Sequence, residues 1–223
     1  MKIRSVAITV RDLAKAVQFY RDILLLPVEV AHASAEVTIG SSRLTLTTGD
    51  GFDGVHHLAF GILPSEFELA HDWLARRVSL LQADGSEVFF GGDDWKSRSL
   101  YFLGPEGIIL EFIARDADAS TVSSKGENPQ ILSISEVGIG VEDVLAAVAT
   151  LSEGLAIPNF YDCSSTFASM GSHDGLLIVV QQERLWFPSK VSKPARGPLT
   201  IQIEPLAGKS RVDLSSRISI ARG

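Results

Sequence analysis

The sequence has a single cysteine, Cys163, among 223 residues. That excludes an internal disulfide and any cysteine-based zinc cluster, and it suits a reducing, cytoplasmic setting. Surplus positive charge is lacking as well: 20 lysines and arginines stand against 27 aspartates and glutamates, a formal net charge of -7. A chain without excess cations has little with which to displace counterions from a phosphate backbone, which argues against nucleic acid as a partner. No apolar run approaches the ~20 residues of a membrane span. Met1-Lys2-Ile3-Arg4-Ser5 also lacks the apolar core and cleavage site of a signal peptide, so a cytoplasmic protein with no membrane partner is expected. What the chain does have is 45% hydrophobic residues, enough for the packed cores of one large domain or two small ones.

An internal comparison shows how that material divides. Val6-Ala7-Ile8-Thr9-Val10-Arg11-Asp12 recurs as Val137-Gly138-Ile139-Gly140-Val141-Glu142-Asp143, an offset of 131 residues. The register then holds without a gap, pairing Leu24 with Leu155, Pro27 with Pro158 and Gly40-Ser41 with Gly171-Ser172. Another copy opens at His57-Leu58-Ala59-Phe60, offset 52 from Ser5-Val6-Ala7-Ile8.

Each copy reads as an alternating strand, a capped amphipathic helix and several short strands. Asp12 stands at an N-cap position before Leu13, Ala16, Val17, Tyr20 and Leu24, and Asp143 does the same before Val144, Leu145, Ala147, Val148 and Leu151. In the copy between them Ser65 takes the capping place before Phe67, Ala70, Trp73 and Leu74. Val37-Thr38-Ile39 and Leu44-Thr45-Leu46-Thr47 flank the turn at Gly40-Ser41-Ser42. The pattern is β-α-β-β-β. Residues 116–130 are polar, small and aperiodic, which marks a linker. The expected organisation is therefore two units in residues 1–115 (1–50 and 51–115) forming one cup, the linker, and a third unit with a partial fourth in 131–223. The partial unit is represented by the strand-like Leu199-Thr200-Ile201-Gln202-Ile203-Glu204.

Two stretches carry a resemblance to a known family. Gly54-Val55-His56-His57-Leu58-Ala59-Phe60 opens the second unit, and Leu100-Tyr101-Phe102-Leu103-Gly104-Pro105-Glu106-Gly107-Ile108-Ile109-Leu110-Glu111 closes it. A tyrosine-bearing strand, a Pro-x-Gly turn and a strand reaching glutamate resemble the vicinal-oxygen-chelate superfamily, which includes glyoxalase I, extradiol dioxygenases and bleomycin-resistance proteins. The resemblance implies an α+β fold of tandem βαβββ modules forming a cup-shaped mixed sheet with helices packed outside. It also implies metal ligands on the first and last strands of each unit. Carried over by position, those places are Ser5, a strand residue near Thr45 or Thr47, His57 and Glu111, and only the last two are good ligands.

The expected function is thus glyoxalase-like or dioxygenase-like chemistry on a small oxygen-bearing organic molecule. A divalent metal (Fe, Mn, Zn or Ni) is held by His57 and Glu111, with Glu111 and Tyr101 as catalytic groups and Trp95 and Arg98 binding substrate. A ring-cleaving dioxygenase is disfavoured by Ser5 and by the absence of histidine in residues 92–98. The alternative is a metal-free cup that sequesters a small molecule, as bleomycin-resistance proteins do. Glu136 stands in the place equivalent to Ser5 and His57, where it could serve a second cup whose other positions lack histidine. Lys190, Lys193 and Arg196 lie in a proline-rich stretch that could receive an acidic ligand. The third unit has no obvious internal partner, so either the tail strand or a second copy in a homodimer completes it.

Overall fold

The structure is a computed structural model that describes residues 1–49, 53–92, 95–123, 126–161, 163–204 and 208–223. The first unit comprises β1 (Ile3–Val10), α1 (Leu13–Gln18), β2 (Val28–Val30), β3 (Ser34–Ile39) and β4 (Ser42–Thr48). The second repeats it as β5 (His57–Ile62), α2 (Phe67–Ala75), β6 (Val88–Phe90), β7 (Ser97–Leu103) and β8 (Ile109–Arg115). The third supplies β9 (Ile131–Val141), α3 (Val144–Leu155), β10 (Phe167–Ser172) and β11 (Gly175–Gln181), and the tail adds β12 (Leu199–Ile203), β13 (Arg211–Ser215) and β14 (Ile218–Arg222). The fold is α+β: two seven-stranded mixed sheets with few helices. Among the described residues no helix is long and apolar enough to cross a membrane.

Capping explains two of the three helix starts. The Asp12 carboxylate accepts from the Lys15 amide at 3.0 Å and Asp143 accepts from Ala146 at 3.0 Å, each satisfying an otherwise orphaned N–H. Ser65 does not cap α2; it lies in a 3-10 turn, Pro64–Glu66, that leads into the helix with no side-chain cap bond. Asp143→Ala should cost about 1 kcal/mol in denaturant unfolding while Asp143→Ser costs less, because α3 begins on that one carboxylate.

Strand order corrects the expected pairing of units. Instead of the first and second units sharing a sheet, β1 pairs antiparallel with β12, giving the order β13-β14-β12-β1-β4-β3-β2. The second and third units join through antiparallel β5 and β9 in the order β10-β11-β9-β5-β8-β7-β6. The third unit is therefore completed by the second, and neither the tail strand nor a second copy is needed for it. The tail is also more than one strand: β12, β13 and β14 form a unit with no helix among the described residues, with β12 parallel to β14 as β1 is to β4. Of the expected linker, residues 124–125 lie outside the described residues. Its flanks are pinned to α2 and the turn before it: Trp73 Nε1 donates to Asn128 Oδ1 at 2.8 Å, and the buried Glu66 carboxylate accepts from Ser123 Oγ and the Gln130 amide.

One apolar cluster runs through both sheets and the helices, including Val6, Ile8, Phe60, Phe112, Ile139, Leu151 and Ile201. The buried Ser42 hydroxyl bridges the sheets, donating to the Ile3 carbonyl at 2.6 Å and accepting from the Ile134 amide at 3.1 Å.

Candidate functional site

In the second sheet, period-two alternation sends Leu58, Phe60 and Ile62 into the apolar cluster and His57, Ala59 and Gly61 to the opposite face. Register then assembles that face. Ala59 is flanked by Glu111 on β8 and Glu136 on β9, and Glu111 is opposite Tyr101 on β7. On the outer side of β9, Gly138 is opposite Ile178 on β11. His57, Glu111 and Glu136 thereby converge, each buried, with ligand atoms all within 4.8 Å of one another. The fourth symmetry-related place holds Ile178.

The cluster lies in a cavity of about 730 Å³ walled by aromatic side chains, among them Phe89, Trp95, Tyr101, Phe167, Trp186 and Phe187. The proline-rich stretch crosses its mouth and is stitched to the start of the second unit. Trp186 Nε1 donates to the Val55 carbonyl at 3.0 Å, the Val55 amide to Lys193 at 2.9 Å and the Ala195 amide to Val55 at 2.9 Å. This crossing places the Trp186 ring 5.2 Å from that of His57 and against Gly138, where a Cβ would collide with the indole. Of the basic residues noted there, Lys190 lines the cavity, whereas Lys193 pairs with Glu183 and Arg196 with Asp53.

Burial dominates the electrostatics. It drives the His57 imidazole down to about 4, an effect partly offset by its bond to the Ile109 carbonyl, so the ring is neutral near pH 7. His57 Nδ1 lies 3.3 Å from that carbonyl, which can only accept; the proton therefore sits on Nδ1, and Nε2 presents its lone pair 3.5 Å from Glu111 Oε2. Burial, and then the negative charge of Glu136, pushes the Glu111 carboxyl up to about 8 against the opposing effects of Ser99, Arg115 and Tyr101. Glu111 Oε2 is buried without a hydrogen-bond partner, an arrangement that is costly unless a proton or a cation meets it. Glu136 is also raised, first by burial, while Arg115 beside it opposes the shift. Tyr101 is raised well above the usual phenol range by burial and by Glu111, so its hydroxyl stays protonated.

His57, Glu111, Tyr101 and Trp95 all line this cavity. Arg98 does not. Alternation along β7 turns Ser97, Ser99 and Tyr101 inward and Arg98 toward α2, where it donates to Glu68 at 3.0 Å and the Pro64 carbonyl at 3.1 Å and covers the Phe67 ring. Ser5 is in the other sheet, donating to Gln202 at 3.0 Å, so its poor ligating ability has no bearing on this cup. The place it was expected to fill is taken by Glu136, which serves the cup of His57 and Glu111 and not a second one. The repeat register aligns Glu136 with His57; what that register lacks is which units pair.

No protein-family model and no curated protein sequence matches the chain. Among solved structures, the chain is similar to glyoxalase I from Zea mays at a TM-score of 0.60 and 13% identity, over 99% of this chain and 92% of that one. It is similar also to a protein provisionally named a dioxygenase from Bacillus subtilis subsp. subtilis str. 168, at a TM-score of 0.59 and 12% identity over 92% and 70% of the respective chains. At such identities the likeness establishes the fold.

Proposed function

The chain carries the fold of the vicinal-oxygen-chelate superfamily, and on that premise we propose that its second sheet binds a small oxygen-bearing organic molecule on a divalent metal held by His57, Glu111 and Glu136. The observation that carries this reading is the convergence of one neutral imidazole and two carboxylates with a buried, unpartnered oxygen on Glu111. One nitrogen and two carboxylate oxygens suit Mn, Fe, Ni or Zn, and three protein ligands leave positions open for substrate. A bound ion polarises a substrate oxygen and stabilises negative charge developing there.

The protein's own groups supply the rest. The Ile109 carbonyl fixes the His57 tautomer and ring plane, as an outer-shell partner does for a ligating histidine. Glu111 is the proton-transfer group, because it converges on the cavity beside His57 and Glu136 and its Oε2 is buried with no hydrogen-bond partner of its own. Tyr101, opposite Glu111 and protonated, gives its one hydroxyl proton to that carboxylate in the absence of substrate and to a substrate oxygen in its presence. The aromatic walls exclude water and favour the apolar part of the substrate. These roles describe glyoxalase-type proton transfer better than ring cleavage.

A second reading, a metal-free cup that sequesters its ligand, is favoured by one specific arrangement: Ile178 occupies the fourth ligand place and Arg115 already pairs with Glu136. Metal content separates the two. Protein purified without chelator and supplied with Mn, Ni or Zn should retain about one ion per chain by elemental analysis, as expected for a three-ligand site. Chelation should lower its melting temperature and re-addition restore it. A chain that takes up no ion and shows no thermal shift with any of the three supports the metal-free cup instead.

A further inference from the structure

The chemistry above leaves Arg115 without a role. It ends β8 on the same face as Glu111 and Ile113 and is among the largest fully buried side chains. Its Nε donates to Ser135 Oγ at 3.3 Å, Nη2 donates to Glu136, and Nη1 is buried with no hydrogen-bond partner. A guanidinium cannot shed its proton in a protein, so this positive charge is permanent. The other charged or titratable groups facing it are Glu111, Glu136, His57 and Tyr101 within the cluster, with half-buried Asp118 just beyond the strand. At the cavity mouth are Asp84, Arg184 and Lys190.

Counting the buried cluster with a divalent ion in place, the ion and Arg115 bring three positive charges and the two carboxylates bring two negative ones. One positive charge is left over in a cavity walled largely by aromatic carbon, where an uncompensated charge is costly. We infer that Arg115 sets the charge of what the cup accepts: a molecule bringing a single negative charge on its chelating oxygens, as a carboxylate, enolate or phenolate does, in preference to a neutral isostere. The inference rests on the ion site proposed above. Without Arg115 the loaded cluster is already neutral and a neutral ligand is no longer disfavoured. Arg115 acts here as a specificity-determining residue through charge.

The test is calorimetric titration of the whole chain, first with Mn, Ni or Zn ions alone and then, on the ion-loaded protein, with salicylate and with salicylamide. These two share size, ring and donor placement and differ by one charge. The wild type should bind salicylate at least tenfold more tightly, Arg115→Met should reduce that ratio at least tenfold, and Arg115→Lys should keep most of it. A ratio unchanged in Arg115→Met assigns Arg115 a purely structural role and overturns the inference. So does a wild-type ratio at or below one, which decides the matter even if Arg115→Met does not fold. Failure of the ion site itself appears earlier, as no heat on adding the ion, and overturns both the ion site and the inference that rests on it.

Discussion

Replacing His57 with alanine is expected to weaken divalent-ion binding at least 100-fold and to remove the rise in melting temperature that the ion produces. His57 supplies the one nitrogen of the three-residue cluster, and among the described residues its neighbours in the cup cannot take its place. Ile178 offers no ligand atom, Tyr101 is held protonated by burial, and the ring on the far side, Trp186, has its N–H committed to the Val55 carbonyl. Loss of one ligand of three corresponds to a factor of about 100 or more when the remaining two are carboxylates that repel each other. His57→Ala also leaves a gap between the Tyr101 and Trp186 rings, 6.2 Å and 5.2 Å from it, so the ion-free variant should be somewhat less stable. Unfolding curves recorded with and without ion separate that loss from the loss of affinity. Ser5→Ala is the matched control: it occupies the equivalent place in the first unit but is in the other sheet, and it should leave affinity within twofold. If His57→Ala binds as well as wild type, the metal-held cup is wrong.

That control also marks the limit of what local pattern can reveal. The strand and helix of each unit and the capping aspartates follow from residues close in sequence, where periodicity and register apply, and the resemblance carried by the second unit points to His57 and Glu111 as candidate ligands. Pairing between units depends on contacts between strands far apart, such as β5 with β9 and β1 with β12, and no period reports it. A weaker signal was nevertheless present. Leu199-Thr200-Ile201-Gln202-Ile203-Glu204 alternates apolar and polar residues, as Leu44-Thr45-Leu46-Thr47 does, whereas Leu58-Ala59-Phe60 and Leu176-Leu177-Ile178-Val179-Val180 run apolar without a break. Strands with one face toward water belong in a sheet together, and strands covered on both faces belong beside an enclosed cup. Matching apolar pattern in this way joins the tail to the first unit and the third unit to the second. Glu136 would then have been placed in the same cup as His57. Arg115 was hidden for a different reason: at the end of an apolar strand before a polar linker, a charged residue looks like the point where the chain returns to solvent. Its burial becomes visible only once Glu136 on the neighbouring unit stands beside it.

The same inter-unit geometry gives the second large effect, at Gly40. The Gly40-Ser41 turn of the first unit meets β9 of the third, where the Ser41 amide and hydroxyl both donate to the Leu132 carbonyl at 2.9 and 3.2 Å. Its repeat equivalent, Gly171-Ser172, meets the chain start in turn, where the Met1 amino group donates to Ser172 Oγ. The two turns are therefore related contacts that lock one sheet against the other. Gly40 has φ +56, a conformation that costs other residues about 1–3 kcal/mol, and a Cβ there would collide with the Leu132 and Ile131 backbone carbonyls. Strand backbone cannot rotate aside as a side chain can, so the sheets must separate locally, an overpacking cost of a further 1–3 kcal/mol or so. Gly40→Ala should thus destabilise the protein by about 2–6 kcal/mol, lowering the melting temperature by roughly 4–24 °C for a chain of this size. Gly85→Ala is the comparison: φ is +77 but nothing lies within 4 Å of an added Cβ, so it should show the conformational cost alone. β9 is held on both sides, by β5 and β11, while the turn at Gly40 is the tip of the β3–β4 hairpin. The hairpin should therefore be what yields, leaving Glu136 in place and ion affinity within about threefold of wild type. A loss of affinity as large as that of His57→Ala would mean instead that β9 moves and that the cup depends on the first sheet for its shape.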